Sequence, residues 1–359
     1  MFVTAPSAKA LMRRAGQGLA ILLITFALTE FVFRVYDHFY PSFIFYNSDN
    51  DRFRGKPNAP DYDFYLNSRG FKDVEFKTQK EEGTYRILGL GDSFAFGVVP
   101  YKYNYLTLLE ENLNHGGKKA ELINMGVVAT GPRDYMVMLA KEGLELKPDM
   151  VLVSFFIGND FMQDDGGVRK LYTRSYVASF IAYLIAARGF QGEIIHGNAV
   201  YNDNAPTLTD PVFIDMENQR SEIYRKQNWR FGNDLEAALG YLAKIKKLCD
   251  QHHIALVIVL IPDDVQVDRT VQAQVLKLKE VNSKADDFDF TLPNSLLATR
   301  LKQQNIECLD LLDEFTRAGI GTLLYKPNDS HWNIAGNRLA ADAIARDLFH
   351  VAPRPVAKN

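Results

Sequence analysis

The chain has 359 residues, 47% of them hydrophobic and 24% charged, with a formal net charge of −3. That length and apolar content can bury a sizeable core and exclude a disordered protein. A near-neutral balance without a basic stripe argues against nucleic acid as a partner.

The first element is an apolar run of about 17 residues from Gly18 to Phe33, preceded by Lys9, Arg13 and Arg14, with Glu30 near its end at the interface. No small-x-small cleavage site follows, so the run reads as an uncleaved membrane anchor. Its basic side stays in the cytoplasm, which sends everything after Arg34 across the bilayer. Residues 37–83 have little periodicity and read as an irregular leader, with a turn at Asn67-Ser68-Arg69-Gly70.

From Thr84 onward, strands alternate with helical stretches. Tyr85–Leu90, Glu121–Asn124, Met150–Phe156, Ile254–Leu260 and Ile306–Asp310 read as strands. The third and fourth are nearly all apolar, as in central parallel strands covered on both faces. Helical spacing appears at Tyr103–Asn114, Pro132–Leu144, Asn233–Cys249 and Ile334–Phe349. This alternation implies a parallel sheet with helices on both sides. Between Asp165 and Arg230 it breaks down, and the apolar run Tyr176–Ala187 is too short for an ordinary span. A lid helix, a helix against the bilayer and a core helix all remain open for it. His252 and His253 read as capping or solvated residues. Cys249 and Cys308 fit no zinc pattern and lie in apolar surroundings, so neither metal binding nor a disulfide is expected of them.

In an open parallel sheet, reactive groups collect beyond the carboxyl ends of the strands. The first strand runs into Gly91-Asp92-Ser93, where Ser93 would stand at a helix N-terminus suited to a developing anion. The second ends in a loop containing Asn124, Gly126 and Gly131, and the third in Gly158-Asn159-Asp160. Either loop alone is ordinary turn chemistry. Before the last helix comes Asn328-Asp329-Ser330-His331-Trp332. A serine nucleophile needs a base within hydrogen-bond reach and a group to fix its tautomer, and His331 and Asp329 supply both residue types.

In this order the four blocks resemble those of the SGNH/GDSL hydrolases, over about residues 84–349. The resemblance implies a three-layer α/β/α, flavodoxin-like fold with a five-stranded parallel sheet and cofactor-free hydrolysis of an acyl ester through an acyl-enzyme. Ser93 would attack, His331 would act as base and Asp329 would orient the imidazole. The oxyanion donors would be the Ser93 N–H, the Asn159 amide and the Ala129 N–H, with Gly126 or Gly131 as alternative loop donors. Phe94 replaces the leucine of the family's name motif. The usual acid position falls on Asn328, but the two-residue spacing of Asp329 with Trp after His is similar to membrane-tethered members acting on cell-surface polysaccharides.

The expected order is thus a cytoplasmic tail and anchor over 1–36, the leader, a hydrolase domain over 84–350 with an insertion at about 166–230, and a tail over 351–359. The expected substrate is an acylated, in particular acetylated, glycan or lipid outside the membrane. Transfer beside a membrane-bound O-acyltransferase and a catalytically silent glycan-binding or assembly role stay open.

Overall fold

The computed structural model describes residues 8–40, 45, 54–161, 175–189, 196–279 and 283–352. The start of the insertion near residue 166, the first residues of the tail before the anchor and the chain beyond 352 lie outside them. Two compact units result: residues 1–48 with 167–190, and residues 49–166 with 191–359.

The smaller unit is built on helix α1 (Ala8–Phe39), whose Met12–Phe39 stretch is long and apolar enough to cross a membrane. A second apolar helix of this unit spans Tyr176–Gly189.

In the larger unit, β1 (Tyr85–Leu90), β2 (Ala120–Asn124), β3 (Met150–Phe156), β4 (Ala255–Ile261) and β5 (Glu307–Asp310) form one sheet in the order β2-β1-β3-β4-β5. Every pairing is parallel, with Leu88 beside Val151 and Ser154 beside Val259. The order reverses at β1, so the loops after β1 and β3 diverge there and leave a crevice at their carboxyl ends.

Helices cover both faces. Tyr105–His115 and Ile334–Phe349 pack together on one side, while Pro132–Met138, Trp229–Gln251 and Leu292–Gln303 form the other layer. Met150–Phe156 is buried from its second residue to its last, as a strand between two helical layers must be. Asparagines cap several helices: Asn104 accepts from Leu106 N (2.8 Å), Asn228 from Arg230 N (3.0 Å) and Asn333 from Gly336 N (2.9 Å). The helices Asp210–Arg220, Arg269–Lys279 and Leu312–Ala318 also belong to this body. Cys249 and Cys308 are unpaired thiols, and burial pushes both up to about 12.

The leader residues from 54 onward pack against this body. The turn at Asn67–Gly70 closes with Gly70 N–H on Asn67 O (2.9 Å), and Gly70 takes φ +80°. Lys72 is fully buried, ion-paired with the equally buried Asp61 at 2.6 Å. Its Nζ also donates to the carbonyls of Gly97 (2.8 Å) and Val99 (2.6 Å), just after the helix that begins at Ser93.

Candidate active site

Ser93 opens a four-residue helix, Ser93–Phe96, directly after β1. Asp92 caps it, accepting Phe94 N–H at 2.9 Å, and burial pushes the Asp92 carboxyl up although that bond and the nearby His331 and Arg220 favour its charge. Two asparagines fix the far side of the helix. Asn124 Nδ2 donates to Ala95 O at 2.8 Å, and Asn104 Nδ2 donates to Ala95 O and Phe96 O at 2.9 and 3.1 Å. The backbone that carries Ser93 is therefore held from the second strand, the next helix and the leader's Lys72.

His331 stands 2.7 Å from Ser93 Oγ through Nε2 and 2.6 Å from Asp329 Oδ1 through Nδ1. An ionised carboxylate can only accept, so the ring proton belongs on Nδ1 and Nε2 is left to accept the serine O–H. Burial opposes the Asp329 charge. The His331 ring and backbone N–H (3.0 Å) and the Thr207 hydroxyl (2.6 Å) outweigh it, holding the carboxyl at about 2. Asn328, where the acid usually stands, takes φ +51° and turns to Leu208 O and Asp210 instead. The imidazole lies against Phe94 (ring centroids 5.1 Å), and the buried Trp332 packs between Phe94 and Phe315. Ser93 and His331 are half-buried, so solvent and substrate reach the pair.

The residues expected to supply the oxyanion donors are not fully buried: Ser93 and Asn159 are half-buried and Ala129 is exposed. Asn159 follows β3, its side chain beside Asp92; its Oδ1 is buried with no hydrogen-bond partner among the described residues. Ala129 takes φ +56°, a left-handed conformation that alanine adopts at some cost, and its N–H is donated to no other described residue. Gly126 is different. Its N–H is spent on Asn124 Oδ1 (2.9 Å), which removes it as an oxyanion donor. It is glycine for packing: a Cβ there would meet Phe96 N at 2.3 Å. Gly131 caps the helix Pro132–Met138 with extended backbone. Asp160 holds its loop by accepting the Phe156 N–H (3.1 Å) and the Tyr135 hydroxyl, and bonds to neither Ser93 nor His331.

Sequence reasoning missed several supports. Thr207 comes from the insertion, as does Arg220, which donates to Ser330 Oγ at 2.9 Å. Lys72 and Asp73 come from the leader; Asp73 accepts the Asn124 N–H at 2.8 Å. Each is a single side chain in an irregular stretch, where no spacing rule marks it.

Residues 219–356 match a family model described as SGNH hydrolase-like domain, acetyltransferase AlgX. This is less than half of the chain and includes Asp329 and His331 but not Ser93. No curated protein matches the sequence. Among solved structures, the acetyl xylan esterase AlAXEase is 15% identical, covering 72% of this chain and 97% of its own, with TM-score 0.39. A lipolytic G-D-S-L family member from Veillonella parvula DSM 2008 is 14% identical, with coverage of 74% and 99% and TM-score 0.40. A GDSL-like lipase from Bacteroides thetaiotaomicron VPI-5482 is 9% identical, with coverage of 74% and 88% and TM-score 0.37. These likenesses are distant and say nothing of substrate. The match over residues 219–356, together with the four blocks meeting at the crevice of a 2-1-3-4-5 parallel sheet, makes the larger unit similar to the SGNH hydrolases.

Proposed function

We propose that the protein is a serine acyl hydrolase or acyltransferase that works outside the membrane on O-acyl groups, acetyl above all, of a cell-surface glycan or lipid. The observation that carries this reading is the hydrogen-bonded chain from Ser93 through His331 to Asp329. Ser93 Oγ attacks the ester carbonyl carbon while His331 Nε2 takes its proton. The negative oxygen of the tetrahedral intermediate is received by the Ser93 and Ala129 N–H groups and the Asn159 amide. His331 then protonates the departing alcohol, leaving an acyl-serine. Water attacking that ester completes hydrolysis; a sugar hydroxyl attacking it completes transfer, with the same proton relay.

The description of the matched family as an acetyltransferase favours a small acyl group and keeps transfer beside a membrane-bound O-acyltransferase within the proposal. The basic flank and apolar length of α1 support an uncleaved anchor with the larger unit on the outer side.

The test is turnover of p-nitrophenyl acetate by the full chain in detergent, beside Ser93→Ala and His331→Ala. Loss of at least ~1,000-fold in both variants is expected of a triad. Equal activity in all three proteins rejects it. No activity in the parent on this ester or on acetylated oligosaccharides favours a silent glycan-binding protein instead.

A further inference from the structure

Helix α1 carries a carboxylate in a place that an apolar span ordinarily excludes. A hydrocarbon core of about 30 Å takes about 20 helical residues. Counted from Arg14, that reaches Arg34, so Glu30 sits about one turn inside the outer boundary and not at the interface, where the apolar run alone put it. A charge at that depth is expensive unless it is partnered.

The partner is the start of the second apolar helix of the same unit, Tyr176–Gly189. Glu30 accepts hydrogen bonds from Ser175 Oγ (2.8 Å), Tyr176 N (3.0 Å) and Val177 N (3.0 Å). It thus satisfies backbone donors that a helix N-terminus leaves open, with the favourable sign of charge for that end. Arg34 binds the same carboxylate at 2.6 Å and lies over the Tyr176 ring at 4.6 Å, and Tyr176 OH donates to Asp37. Phe33 packs on Phe180 with ring centroids 5.2 Å apart. Beyond this polar contact the described part of the short helix turns large apolar side chains outward: Ile181, Leu184 and Ile185 are exposed, Ile185 by 67%. At 14 residues it is too short to cross a bilayer.

We propose that the anchor is a two-helix membrane unit, in which Glu30 latches the N-terminus of Tyr176–Gly189 to α1 and the exposed face of that short helix rests on the acyl chains of the outer leaflet. Lipid is the occupant because the short helix packs on α1, the one candidate span among the described residues, and both helices expose large apolar side chains. The inference rests on the anchor reading of α1, and its readout is independent of catalysis.

The experiment uses the full chain in vesicles of phosphatidylcholine and phosphatidylglycerol with brominated acyl chains. An environment-sensitive fluorophore is attached in turn to Leu23→Cys, Ile181→Cys, Ile185→Cys and Val200→Cys, with the labelled parent as blank. Position 200 is 94% exposed and lies in the larger unit. Quenching at 181 and 185 within about twofold of that at 23, and none at 200, is the expected result for a helix seated among acyl chains. Adding Glu30→Ala is expected to reduce quenching at 181 and 185 and leave it at 23; Glu30→Gln, which keeps an acceptor, reduces it less. Signals at 181 and 185 as weak as at 200, or unchanged in Glu30→Ala, overturn the proposal. An unquenched 23 overturns the anchor reading and this proposal with it, whereas a quenched 23 with an unquenched 181 rejects only the two-helix unit.

Discussion

Asp329 is held ionised by contacts that reach it from two directions, the His331 loop and Thr207. Because its carboxyl stays charged down to about 2, protonation of the acid does not limit activity in the ordinary range. A plot of kcat/KM against pH should therefore carry no step that belongs to Asp329 in that range. Asp329→Asn is expected to lower kcat by about 10³- to 10⁴-fold, because the amide no longer imposes the Nδ1–H tautomer. Steady-state kinetics on any turned-over ester measures this, and a loss confined to KM would contradict it. The choice between Asn328 and Asp329 was open to spacing arguments only by family likeness. The physical reason emerges from the backbone: at φ +51°, Asn328 directs its amide to the insertion, and the next residue receives the imidazole.

The helix bearing Ser93 has four residues and little stability of its own. Its position comes from neighbours, and substitutions there should act on chemistry before binding. Gly126→Ala would drive a methyl group to 2.3 Å from Phe96 N and must displace this helix. The expected effect is a fall in kcat of about 10- to 100-fold with little change in KM, as a small misplacement of the nucleophile produces. Equal kcat in the variant would mean that the helix yields without moving Ser93. Lys72→Met removes the ammonium between Asp61 and two carbonyls and leaves the buried Asp61 carboxylate to the His196 ring and backbone N–H (2.7 and 2.9 Å), at a cost of about 3–5 kcal/mol. Urea unfolding checks this, and Lys72→Met with Asp61→Asn should recover part of the loss. The strands and the nucleophile, base and amide blocks are visible in sequence because each has a short-range signature: an apolar run, or a turn motif at a strand end. Lys72, Thr207 and Asn104 have none, since a buried lysine or a hydroxyl on a carboxylate is defined by what lies across space.

The whole molecule has a pH dependence set by carboxyls that burial has raised. Asp73 and Glu110 are both pushed up to about 7 by burial, although each accepts a backbone hydrogen bond that favours its charge. A carboxyl raised in the folded state above its unfolded value of about 4 stabilises below that value, and the contribution is lost as pH rises through about 7. Stability by urea unfolding should then be greater at pH 5 than at pH 8, with a smaller difference in Asp73→Asn. An identical difference in that variant would assign the dependence elsewhere. At this scale the parallel sheet was readable from strand–helix alternation, and so was the apolar N-terminal helix. The pairing of that helix with Tyr176–Gly189 was not, because Glu30 and Ser175 are joined only by the folded chain.

The separation of Ser93 from His331 by 238 positions also sets when the site can form. Chains are made from the N-terminus, so the serine leaves the ribosome long before its base exists. Through most of synthesis the hydroxyl has no base beside it, and a product cut short between Asn124 and His331 has the residues that hold Ser93 without the imidazole. On the proposed chemistry, chain order by itself delays activity until the last helix is being made.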